Sequence, residues 1–188
     1  MGLTTLIVIL VVVAILAFML IGTYNRLVKL RQNTNEAFAD IDVQLKQRQD
    51  LIPNLVETVK GYAAHERGTL DEVTAARAAA AGANTVEGKI AAENALTGAL
   101  GRLFAVAEAY PELKANTNFL QLQSELSDIE NKLAAARRFF NNATGEYNAS
   151  VQSFPAVLFA GAMGFQHREF FDLGADRAAA STAPQVKF

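Results

Sequence analysis

Cysteine is absent from the sequence, which excludes a disulfide, a zinc–thiolate centre, an iron–sulfur cluster and a cysteine nucleophile. Histidine occurs only twice, and neither copy completes a Glu-x-x-His pair: Tyr62 stands three residues before His65, and Gly164 three before His167. A di-iron site in a helical bundle needs such pairs on inward-facing turns. His65-Glu66 also lacks the second histidine of a zinc-protease helix and is expected at the surface. No Gly-x-Ser-x-Gly elbow is present, and no glycine loop ends in Gly-Lys-Ser/Thr to hold a nucleotide phosphate. The acid pairs Glu36/Asp40 and Glu125/Asp128 have helical spacing and read as solvated faces rather than acid–base machinery. Neither an enzyme activity nor a cofactor or metal is expected. With a formal net charge of −2 and alternating signs along the chain, there is no basic face, so nucleic acid is not an expected partner.

The second absence is local. Residues 1–24 contain no Asp, Glu, Lys, Arg or His, and residues 6–21 are apolar at every position. Taken as a helix from Leu3 through Leu6 to Ile21 and on to Gly22, this segment rises about 1.5 Å per residue and reaches roughly 30 Å, a bilayer hydrocarbon core. A basic n-region and a small-x-small cleavage site are both missing, so a retained transmembrane anchor over residues 1–23 is expected rather than a cleaved signal. Arg26, Lys29 and Arg31 follow at once and are expected to meet lipid headgroups. Their excess over the α-amino side places the domain in the cytoplasm, as a single-pass protein with a short tail outside.

Beyond the anchor no alternating strand pattern and no βαβ rhythm appears, which predicts an all-α class. Phe38, Ile41 and Leu45, then after Arg48 Ile52, Leu55, Val59 and Tyr62, follow at steps of three and four once Arg48 is counted, a long amphipathic helix that is expected to continue from the anchor. The expectation is one helix over residues 24–81, kinked near residues 49–53 at Pro53 and carried through Gly61 and His65 by alanine propensity. A second helix is predicted over residues 89–109 on the stripe Leu96, Leu100, Leu103 and Ala107. A third is predicted over residues 113–153, with a seam from Phe119 through Leu126, Leu133 and Phe140 to Tyr147. Short turns joining such seams favour an antiparallel bundle across residues 24–165. Residues 155–163 are expected to add a short helix, and residues 166–188 to form a largely disordered tail.

Two features stand out as functional candidates. Arg48 interrupts the apolar stripe between Leu45 and Ile52. It is expected either to form a cross-helix salt bridge to Glu108, Glu125 or Asp128, fixing register, or to lie at the stripe edge with its head in water. The aromatic-rich stretch with Phe154, Phe159, Phe165, Phe170 and Phe171 is a candidate docking surface for membrane or a neighbouring subunit. Its competing reading is a short helix that completes the bundle.

Residues 38–62, FADIDVQLKQRQDLIPNLVETVKGY, resemble the hallmark segment of the LemA family. A second block, residues 102–116, RLFAVAEAYPELKAN, followed by Asn118-Phe119 and Leu122-Gln123-Ser124-Glu125-Leu126, agrees with it. The resemblance implies a bacterial, N-terminally anchored membrane protein with an antiparallel four-helix bundle and no established catalysis, some relatives being linked to membrane organelle formation or envelope signalling. It also implies structural roles for Asp42, Arg48, Asp50, Pro53, Asn54, Tyr110, Pro111 and Glu112. The chain departs from the family where two Tyr-Asn pairs are usual: Phe140-Asn141 precedes Tyr147-Asn148, with Thr144-Gly145 between them. The expected function is a membrane-anchored scaffold that forms a homo-oligomer at the bilayer surface. The alternative is a signalling adaptor that binds an unidentified protein partner through the bundle.

Overall fold

The computed structural model of the chain describes residues 2–171. Every regular element among them is helical: α1 (Gly2–Lys60), α2 (Arg67–Gly82), α3 (Val86–Ala107), α4 (Pro111–Lys114), α5 (Thr117–Gln152) and a 3-10 turn, Ala156–Leu158. The predicted all-α class, with a long apolar N-terminal helix leading into a helical bundle, is the observed one. The contacts divide the chain into two compact units. Among the described residues, unit 1 is residues 2–39 with 137–170, and unit 2 is residues 40–136 with Phe171.

α1 opens with an apolar stretch none of which is buried, unlike the core helix of a soluble domain. Its seam then begins. Leu27, Leu30, Thr34, Ala37, Ile41, Leu45, Arg48, Ile52, Leu55 and Val59 are all buried, at steps of three and four. That is the period that keeps one face of a helix turned to a partner.

In unit 1 this seam meets the last turns of α5. Leu27 and Leu30 pack with Tyr147, Ala156, Ala160 and Phe165, and the Phe38 and Phe140 rings lie 5.5 Å apart. The Thr34 hydroxyl donates to the Leu30 carbonyl at 2.9 Å. Gly145 leaves room for the Phe170 ring, which a Cβ there would touch at 3.8 Å.

Unit 2 is built from the remainder of α1 with α2, α3, α4 and the start of α5. One cluster joins Ile52, Leu55 and Val59 of α1, Leu70, Val73 and Ala80 of α2, Leu96, Leu100 and Leu103 of α3, Leu113 of α4, and Phe119 and Leu126 of α5. Arg102, near the end of α3, pairs with Glu72 at the start of α2, so these two helices run antiparallel.

Several expected boundaries are corrected. The helix expected over residues 24–81 ends at Lys60 and restarts at Arg67. Between them the chain turns through Tyr62 N–H to Val59 carbonyl (3.0 Å) and Glu66 N–H to Ala63 carbonyl (3.0 Å). Alanine propensity yields here to packing, because only a reversal lets Val73 and Ala80 bury against α1 and α3. Pro53 lies inside α1 without ending it. The third helix divides at Asn116, whose Oδ1 accepts the Phe119 N–H at 3.0 Å and caps α5.

The short helix expected over residues 155–163 reduces to the 3-10 turn and successive turns. Gly164, at φ +76°, closes them: Phe165 N–H bonds the Ala160 carbonyl (2.9 Å) and Gly164 N–H the Gly161 carbonyl (3.2 Å). This paired reversal needs a left-handed residue, which glycine supplies without a Cβ penalty. The tail expected from residue 166 starts as an ordered strap. Asn148 holds Arg168 by both backbone groups, its Nδ2 donating to the carbonyl (2.8 Å) and its Oδ1 accepting the N–H (2.9 Å). The rest of that expectation, residues 172–188, lies outside the described residues.

Candidate functional site

The polar centre of unit 2 is Arg48. It is 4% exposed, so the reading that left its head in water at the stripe edge is overturned. Its guanidinium bridges two helices: one nitrogen lies 2.9 Å from Glu93 Oε2 on α3, and another 3.1 Å from Glu130 Oε2 on α5. A third bond, 3.0 Å, reaches the Thr97 hydroxyl. Glu108, Glu125 and Asp128, the expected partners, lie elsewhere. Glu108 pairs with Lys114, Glu125 accepts from Gln121 at 2.9 Å, and Asp128 is exposed. The pattern did hold the signal for Glu93. It continues the α3 stripe one step before Leu96, Leu100 and Leu103, and at 2% exposure it is as buried as they are.

A charge so enclosed is tolerated only with a partner and further hydrogen bonds. Glu93 supplies the desolvated countercharge, whereas Glu130, 44% exposed at its side chain, supplies one still in contact with water. Beside this network a cleft of about 230 Å³ is lined by Asp42, Gln49, Lys89 and Glu93. Asp42 is paired there with Lys89. Each of these charges is therefore paired with its opposite, Arg48 with Glu93 and Lys89 with Asp42.

Pro53 creates a second polar relationship. It has no N–H, so the Gln49 carbonyl four residues before it has no partner within the helix. Arg77 of α2 fills the place, its Nε donating to that carbonyl at 2.8 Å. Asp50 pairs with Lys46 at the exposed surface, and the Asn54 carbonyl accepts the Thr58 hydroxyl at 2.8 Å.

At another end of unit 2, Pro111 occupies the first turn of α4 and Glu112 is its acidic residue, both favourable at a helix start. The Tyr110 hydroxyl donates to Glu66 at 3.1 Å. That bond, with burial and the carboxylate charge adding to it, raises the phenol pKa above its ordinary value. Asn116 Nδ2 donates to the Tyr62 hydroxyl at 2.9 Å.

Of the expected docking aromatics, Phe154 is 74% exposed and Phe170 is exposed, while Phe159 is half-buried. Phe165 and Phe171, at 1% and 2%, are core residues and are removed from that surface. Phe165 packs edge-on to Tyr24 at 5.5 Å and lies 4.8 Å beneath the Arg31 guanidinium. Arg31 thus serves the fold of unit 1 as well as being half-exposed, while Arg26 and Lys29 are exposed. Leu3, Leu6 and Ile21 are exposed along the apolar segment. Both histidines are exposed, and no group of His, Cys, Asp or Glu suited to a metal ion occurs among the described residues.

These features define a helical protein with a long apolar N-terminal helix and a bundle that encloses the buried ion pair Arg48–Glu93. The LemA family model matches residues 37–188, and the chain belongs to the LemA family. It is similar to the magnetosome protein MamQ 2 of Paramagnetospirillum magneticum, 27% identical over 85% of this chain and 69% of the relative. It is similar to MamQ of Magnetospirillum gryphiswaldense, 25% identical with the same coverage. Protein LemA of Metamycoplasma hominis is 24% identical over 76% of this chain and 65% of that protein.

Proposed function

We propose that this chain is a structural protein of the bacterial cell membrane. It spans the bilayer once through α1 and keeps its helical domain on the cytoplasmic side, where copies associate laterally into a homo-oligomer that organises or shapes the membrane. The observation that carries the reading is the apolar segment of α1, wholly exposed and followed in the same helix by the buried seam. A helix of that length and composition confines the attached domain to the plane of the membrane. Confinement raises the effective concentration of the domains, so modest contacts suffice for assembly.

Further support comes from the domain surface, where Phe139 and Leu120 on α5 are large apolar side chains left exposed. The charges that set the side are Arg26, Lys29 and Arg31. Imaging and sizing of the full-length protein extracted in mild detergent tests the reading. A discrete assembly of many copies is expected. A uniform monomer rejects the scaffold and favours an adaptor that binds another protein through the bundle.

A further inference from the structure

The loop that follows α5 is the least explained part of unit 1. No Asp, Glu, Lys or Arg lies between Glu146 and Arg168. Within that interval Phe154 and Leu158 are each 74% exposed, and Val157 and Met163 are 55% and 47% exposed. Such a cluster of apolar side chains, with no charge among them, is unusual on a water-facing surface.

Its position within unit 1 indicates what covers it. The same loop buries Ala156, Ala160 and Phe165 against Leu27 and Leu30 of α1, and Phe165 meets Tyr24. Tyr24, the α1 residue that Phe165 meets, is three residues past Ile21, about 4.5 Å along the helix at 1.5 Å per residue, and Leu27, at about 9 Å, stands at the outer edge of the headgroups. The interfacial layer outside a bilayer core is about 5–8 Å thick. The loop is therefore held against the part of α1 that emerges from the hydrocarbon, at the depth of the headgroups. Arg26 and Lys29, exposed on the same stretch of α1, supply cations for lipid phosphates.

We infer that residues 153–163 form a second membrane contact, with Phe154, Val157, Leu158 and Met163 inserted among the headgroups and upper acyl chains of the bilayer that α1 spans. The occupant of this surface is lipid rather than another protein. Two points of attachment, one spanning and one shallow, fix the rotation of unit 1 about the α1 axis, which a single helix leaves free.

This inference rests on the anchoring of α1, and the test separates the two. The chain has no native cysteine, so single substitutions Ile9→Cys, Leu158→Cys and Leu120→Cys each accept one environment-sensitive fluorophore. The full-length labelled proteins are placed at one copy per nanodisc of phosphatidylcholine and phosphatidylglycerol, with nitroxide on lipids at shallow or deep acyl positions. The probe at Leu158 is expected to shift to the blue and to be quenched several-fold by shallow nitroxide, and the probe at Ile9 by deep nitroxide. The probe at Leu120, exposed on α5 in unit 2, is expected to show neither. Quenching at Ile9 with Leu158 no more quenched than Leu120 overturns the loop contact and leaves the anchor standing. Loss of quenching at Ile9 overturns both. A Leu158 probe that is shielded only when several copies share a disc assigns the surface to a neighbouring protein and also overturns the inference. Circular dichroism of each labelled protein, expected to match the unsubstituted chain, excludes misfolding as the cause.

Discussion

Arg77 donates its Nε–H to the Gln49 carbonyl, the one acceptor in α1 that Pro53 deprives of its intrahelical partner. The proline and the arginine are 24 residues apart in sequence but act as one device. The proline exposes a carbonyl on the face where α2 packs, and the guanidinium takes it. Hydrogen bonds from charged groups are worth about 1.5–3 kcal/mol, so Arg77→Met should destabilise the protein by about that much. In a Pro53→Ala background the restored N–H satisfies the carbonyl, and the same Arg77 substitution should cost less than about 1 kcal/mol. A double-mutant cycle by chemical denaturation measures the coupling; equal costs in the two backgrounds would reject it.

The Arg48 pair gives a sharper contrast. Arg48→Met leaves Glu93 buried without its countercharge, and breaking a buried pair on one side costs about 3–5 kcal/mol. Replacing both, as Arg48→Met with Glu93→Leu, should recover most of that loss, because Glu130 remains partly solvated. Thermal unfolding of the single and double variants reads the difference. An Arg48→Met protein with unchanged or raised stability and intact assembly would remove the register role.

Asn148 is expected to hold the strap after the loop. Two hydrogen bonds to the Arg168 backbone are lost in Asn148→Ala. At about 1 kcal/mol each, local opening should increase on the order of thirtyfold. Trypsin cleavage after Arg168 measures it, with faster cutting at that site and unchanged cutting within unit 2 as the expected outcome.

The Tyr110–Glu66 bond makes stability depend on alkaline pH. The folded phenol pKa is raised, chiefly by this hydrogen bond. Its contribution is therefore fully present below the unfolded tyrosine pKa of about 10 and is lost as pH rises through the folded value. Denaturation at pH 9 and pH 11 should show a loss that is smaller in Tyr110→Phe. An equal loss in both proteins would place the alkaline sensitivity elsewhere.

The seams of α1 and α5 were legible because three-and-four spacing is a property of one helix and survives without knowledge of its neighbours. The family resemblance was legible because residues 38–62 and 102–116 form long uninterrupted words. What the pattern concealed depends on partners distant in sequence. The turn at residues 61–66 competes with alanine propensity, and the decision lies with the core that Val73 and Ala80 enter. Arg48 stands out as anomalous on its stripe, but its partners belong to two other helices, and acids on other faces fit the spacing equally well. Glu93 continues the leucine stripe of α3, but an acidic residue at such a position is usually excluded from a core, so the spacing alone does not place it there. In the stretch after α5, small residues around Gly161 and Gly164 favour reversals over helix, so its apolar residues Ala156, Ala160 and Phe165 pack against α1 from turns rather than from a fourth helical rod.

Alkaline carbonate extraction of membranes from cells making the full-length chain tests the central claim most directly, that the apolar segment of α1 holds the protein in the bilayer. The account predicts that the protein stays in the membrane pellet at its full length. Release into the supernatant, or recovery of a soluble form lacking the apolar segment, would contradict it.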